Sequence, residues 1–162
     1  MGEETSQEAE KGMRIQFTVA GLPVPAGSKR GFVYKRKDGS AGVNLTDANK
    51  KTKPWQAAVA AAAQEAMQGN LLEGPLVLTV NFDFHRPKSH LHRSGQLKAR
   101  APSSKSSKPD LSKLVRCIED ALIGIVYRDD AQITAIYATK NYRAHAGCWI
   151  EVAEFMSPAD SQ

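Results

Sequence analysis

The apolar pattern of this chain predicts an α+β fold: a single domain, a mixed β-sheet with two main helices packed on it. Two segments carry helix signals, one dense in alanine and one with apolar residues recurring every three or four positions. Several others alternate apolar and polar residues with the period of a strand. The order is strand, hairpin, helix, strand, loop, helix, strand, strand. At 162 residues the chain is long enough for one real core and too short for two ordinary domains.

In chain order, residues 1–12 lack apolar pattern and are expected to form a disordered extension, 13–156 the folded domain and 157–162 a loose tail. Ile15, Phe17 and Val19 alternate with polar neighbours as a half-buried strand. Residues 21–27, GLPVPAG, make a turn-rich loop. Residues 28–37, SKRGFVYKRK, interleave Phe32 and Tyr34 with basic residues that include Lys29 and Arg30. This reads as one arm of a hairpin turning at 37–40, either a nucleic-acid surface or a solvated edge. Lys53-Pro54-Trp55 opens a helix whose alanines allow close packing on a sheet, with Trp55 as a core anchor, and Gly69-Asn70 stops it. Leu76, Leu78, Val80, Phe82 and Phe84 face one way along the clearest strand. Residues 132–142 and 148–155 read as two more strands.

Between them, residues 85–108 contain Arg86, Lys88, Arg93, Lys98, Arg100, Lys105 and Lys108 and no acid. Apolar residues are sparse there, so a flexible basic loop is expected, either a phosphate-seeking arm or an inert insertion. The formal net charge is +5, but residues 1–12 hold four glutamates against one lysine, which leaves +8 on the rest. Such an excess suits a polyanionic partner. No basic-then-apolar leader opens the chain, and no apolar run approaches the roughly 20 residues of a membrane span, so no membrane association and a cytoplasmic setting are expected. Cys117 and Cys148 have no metal-site spacing and read as buried thiols.

The chemistry concentrates in residues 108–132, KPDLSKLVRCIEDALIGIVYRDDAQ. Leu111, Leu114, Val115, Ile118 and Leu122 mark an amphipathic helix with Asp110 at its N-cap. Gly124 ends it, and Ile125-Val126-Tyr127 reads as a short buried strand before Asp129-Asp130. The helix and turn are expected to bring Asp110 and the Asp129–Asp130 pair together around divalent metal. Clustered carboxylates repel without a cation, and Mg2+ accepts one or two carboxylates plus waters and phosphate oxygens. Asp130 and Asp129 compete for the role of second ligand. Asp120 can pair with Arg116 one turn earlier. Lys113 and Arg116 share the polar side and could neutralise a phosphate.

The same run resembles the signature of the RusA family of Holliday junction resolvases: a D-L-D-N-L-x-K helix start, D-A-L, then an aromatic-x-D-D-x-Q segment. The matching residues are Asp110-Leu111, Leu114, Asp120-Ala121-Leu122, Tyr127, Asp129-Asp130 and Gln132. Similar context surrounds them in Gly21-x-Pro23, Lys53-Pro54-Trp55 and Arg86-Pro87-Lys88-Ser89-His90. The resemblance implies a homodimeric endonuclease, dependent on Mg2+ or Mn2+, that cuts four-way DNA junctions symmetrically in a bacterial cell or phage-infected host. By motif position Asp110 and Asp130 match metal-binding acids, and Arg116 stands where the family has a catalytic lysine. Ser112 replaces a further metal-binding aspartate and Lys113 an asparagine. Ser112 can still ligate weakly or hold a metal-bound water. Arginine at 116 cannot donate its proton as lysine might. Either the chain is a nuclease with a modified site, or it binds junctions without cutting them.

Overall fold

The computed structural model describes residues 12–27, 29–47 and 49–155. The first element among the described residues is strand β1 (Arg14–Ala20), whose alternate residues Ile15, Phe17 and Val19 are buried. A hairpin of β2 (Lys29–Lys35) and β3 (Ala41–Asp47) follows. Helix α1 (Thr52–Ala66) buries Trp55, Val59 and Ala63 along one stripe. Strand β4 (Leu76–His85) alternates buried and half-buried positions, as its sequence predicts. Helix α2 (Leu111–Leu122) precedes β5 (Ile133–Arg143) and β6 (Gly147–Glu154). This is the expected order and the expected α+β architecture.

The main sheet runs β1-β6-β4-β5. β6 pairs antiparallel with both β1 and β4, and β4 pairs parallel with β5. A parallel neighbour requires a crossover, and here the basic loop and α2 supply it. Buried residues of β1, β4 and β6 meet Trp55, Val59 and Ala63 of α1 and Leu114, Cys117, Ile118 and Leu122 of α2 in one core cluster. Both helices therefore pack on the same side of the sheet, touching each other as well. The loop at 21–27 ties them further: Ala26 N donates to Lys113 O at 2.9 Å, and the buried Thr52 hydroxyl donates to Pro25 O at 3.1 Å. At Gly147 a Cβ would stand 2.7 Å from Val19 O, so only glycine lets β1 lie this close to the start of β6. Both cysteines are buried thiols outside any disulfide, and burial pushes the Cys148 thiol up to about 12.

Two expectations need correction. Residues 125–127 do not form a strand. Ile123 bridges Tyr127, Gly124 takes a φ of +79°, and the segment is a tight turn that plugs Val126 and Tyr127 into the core. The basic loop, read from composition as flexible, has a pinned course. Lys105 N donates to Lys140 O and Tyr142 N to Ser103 O, so the loop adds itself to the edge of β5. His90 meets the Tyr142 ring edge-on, with ring centroids 5.0 Å apart, and Arg86 and Lys105 stack on the same ring. Backbone pairing and one aromatic platform replace the apolar side chains that the composition lacks. Residues 1–11 and 156–162 lie outside the described residues, so the expected disordered ends do too.

Candidate active site at the two ends of the second helix

Asp110 occupies the N-cap position of α2, yet its side chain makes no capping bond. Its carboxylate is about half exposed and stands 3.7 Å from Lys113 Nζ. The capping role expected for this side chain is not taken, so the carboxylate, paired only at 3.7 Å with Lys113, stands open to solvent beside the positive end of the helix. The segment that delivers Asp110 is held from below. Lys140 of β5 donates to Ser107 O at 2.8 Å and to Pro109 O at 2.7 Å. Sequence reasoning passed over Lys140, although a lysine amid the alternating residues of a sheet strand is a visible anomaly.

Beyond the far end of α2, the two aspartates of the pair divide their duties. Asp129 Oδ1 accepts from Ala131 N at 2.8 Å, and Gln132 returns its amide oxygen to the backbone of Arg128 and Asp129. The Gln132 amide nitrogen reaches Leu72 O and Gly74 O, so this box also docks the turn onto the preceding loop. Asp129 and Gln132 thus shape the turn, and Asp130 is exposed at its crest.

Asp130 has acidic company that the sequence did not single out. Glu119 is half-buried, and its carboxyl lies above the usual glutamate range, first through desolvation and then through the charges of Asp130 and Asp120, with Arg116 opposing. The buried Tyr127 donates its hydroxyl to Glu119 O at 2.9 Å, and burial, followed by the charges of Glu119, Asp130 and Asp120, raises its pKa as well. Glu119 could have been found by extending the helical period from Ser112 and Val115, since all three line one groove. That groove is walled by Leu111, Ser112, Val115 and Glu119 of α2 and by Ile136 and Ala138 of β5.

Asp110 and Asp130 do not meet within one chain, contrary to the sequence-based expectation. Twelve helical residues place their ends about 18 Å apart. The turn at 123–129 does not fold back along the helix. It enters β5, which runs the opposite way and brings Lys140, not Asp130, to the Asp110 end. Among the described residues of a single chain, no three His, Cys, Asp or Glu side chains converge on one point. Along α2 the groove instead runs from Leu111 and Ser112, which directly follow Asp110, to Glu119, whose carboxyl feels the charge of Asp130.

The expected DNA-binding cations fall into two groups. Arg86 donates to Pro102 O, Lys98 to Ser89 O and Lys105 to the Ser107 hydroxyl, so these three help to build the loop. Lys88, Arg93, Arg100 and Lys108 are exposed on it. Arg116 is exposed on α2, and Lys113 is about half exposed beside Asp110. Of Lys29 and Arg30 only the backbone is described, in β2.

The family described as Endodeoxyribonuclease RusA matches residues 23–153, and the chain belongs to that family. It is also similar to the uncharacterized protein YqaN of Bacillus subtilis (strain 168), with 30% identity over 131 residues that cover 79% of this chain and 87% of that protein. Among the described residues, no helix is long and apolar enough to cross a membrane.

Proposed function

We propose that this protein is a Mg2+-dependent endonuclease that resolves four-way DNA junctions as a homodimer. The observation that carries the reading is the placement of its acids about an open groove: Asp110 immediately precedes the groove residues Leu111 and Ser112, and Glu119, at the other end of its α2 wall, feels the charge of Asp130. A two-fold axis across the α2–β5 groove reverses the helix direction. Asp110 of one protomer then faces Asp130 and Glu119 of its partner, and the operation makes two such sites. The apolar lining, Leu111, Val115, Ile136 and Ala138, gives the groove something to bury in such a contact.

Each site would then present oxygen ligands from Asp110 and Asp130, with Ser112 placed to hold a water. Asp129, bound to its own turn, is a secondary donor. Bound Mg2+ would supply Lewis acidity toward the phosphate oxygens. The protein's own groups do the rest. Arg116, exposed and one turn from Asp120, offers a permanent charge and a bidentate fork to the phosphate as negative charge develops. It offers no proton, so departure of the leaving oxygen relies on solvent. Lys113 neutralises the second flank. The exposed cations of the 86–108 loop, anchored on the edge of β5 beside Asp110, track the DNA backbone. Two equivalent sites suit a substrate with two equivalent scissile phosphates.

The test uses labelled synthetic four-way junctions with Mg2+. Paired cuts are expected from the wild type. Asp130→Asn should cut at least about a hundredfold more slowly while still retarding the junction. Intact junctions at wild-type excess, with tight binding, would instead establish a junction-binding protein without nuclease activity.

A further inference from the structure

The β2–β3 ribbon belongs to a sheet of its own, and none of its residues 31–44, whose side chains are described, joins the core cluster. Between residues 31 and 44 each face carries exposed apolar side chains. Phe32 and Tyr34, 58% and 46% exposed, stand on one face; Val33 and Val43, 74% and 64% exposed, stand directly opposite each other in register on the other. A lone two-stranded ribbon is marginal in water. Its internal packing is slight: the Tyr34 ring lies over Gly42, where a Cβ would come within 2.6 Å of it. The tip is basic. Lys35, Arg36 and Lys37 are exposed, whereas Asp38 accepts from both the backbone N and the hydroxyl of Ser40 and is absorbed in the turn.

We infer that this ribbon is a blade that enters the branch point of the DNA, with base faces against both of its sides and its tip on the flanking phosphates. Three physical points select that occupant. The cationic tip favours a polyanion and disfavours a second copy of the same tip. Apolar side chains gain nothing from phosphates, so their partner must offer apolar surface, which in DNA means base faces. A continuous duplex hides those faces in its stack and could cover only one side of a ribbon, whereas a branch point opens base pairs on two sides. The ribbon therefore supplies preference for branched over linear DNA. This inference rests on the junction reading above.

The experiment compares binding to a four-way junction and to a linear duplex of the same arms, without Mg2+, for the full chain and two variants. One variant carries Phe32→Ser, Val33→Ser and Val43→Ser; the other carries Lys35→Gln, Arg36→Gln and Lys37→Gln. The first should lose about tenfold to a hundredfold of junction affinity, the worth of one or two base stacks, and keep its duplex affinity. The second should weaken on both DNAs and lower the salt slope by about 2 to 3, roughly 0.9 per phosphate contact. An unchanged junction preference in the first variant would overturn the inference, as would a shift from dimer to monomer, which would mean that a second copy covers the ribbon. Wild-type protein that binds neither DNA would overturn the junction reading itself, and this inference with it.

Discussion

Lys140 decides how one acid is presented. Its ammonium bonds two carbonyls, at Ser107 and Pro109, on the segment that leads into Asp110. A charge-assisted hydrogen bond contributes about 1.5–3 kcal/mol, and removing the donor strands its acceptors. Lys140→Met should therefore cost about 2 kcal/mol in urea unfolding. Because Asp110 then loses its fixed approach, junction cleavage should need a higher Mg2+ concentration, whereas junction affinity without metal should hold. An unchanged metal requirement would show that Asp110 is positioned by other means. Asp129 and Asp130 illustrate the limit of residue types as signals. They are adjacent and identical, yet one caps a turn and the other projects, and only the direction of Ala131 N separates them.

Among elements, the basic loop depends on its platform. Tyr142 is buried on β5 and receives His90, Arg86 and Lys105 on one ring. Removing a buried aromatic ring costs about 3–5 kcal/mol in a core and less at the margin of one. Tyr142→Ala should release residues 86–108, with trypsin cutting in that loop well before the rest of the domain. The same protease pattern in wild type and variant would mean that backbone pairing to β5 suffices alone. α2 shows the converse of such local control. Its apolar period was plain in the sequence, but the separation of Asp110 from Asp130 followed from helical rise together with the turn at 123–129, which leads into β5 instead of back along the helix.

For the whole molecule, the separation of the acids makes symmetry testable. Asp110→Asn and Asp130→Asn should each be inactive alone. When the two are mixed and allowed to exchange protomers, a heterodimer regains one intact site of two, because Asp110 of one chain and Asp130 of the other are both native there. Nicked junctions should appear in the mixture and in neither variant. If the mixture stays inactive while protomer exchange is demonstrated, each site is built within one chain.

The sequence by itself determined the element order, the α+β class, the buried faces of β1 and β4 and the motif that places the chain in its family. These are local or periodic properties, written in residue type and spacing. It also flagged Asp110, Asp130 and the basic loop as the residues to watch. Tertiary structure alone decided the β1-β6-β4-β5 strand order, the anchoring of the loop on β5, the placing of Glu119 beside Asp130, and the separation of Asp110 from Asp130. Those depend on which way β5 runs after the turn and on which backbone groups remain unpaired at its edge. Neither is encoded in the residues at the site, because both are settled by how the whole sheet pairs.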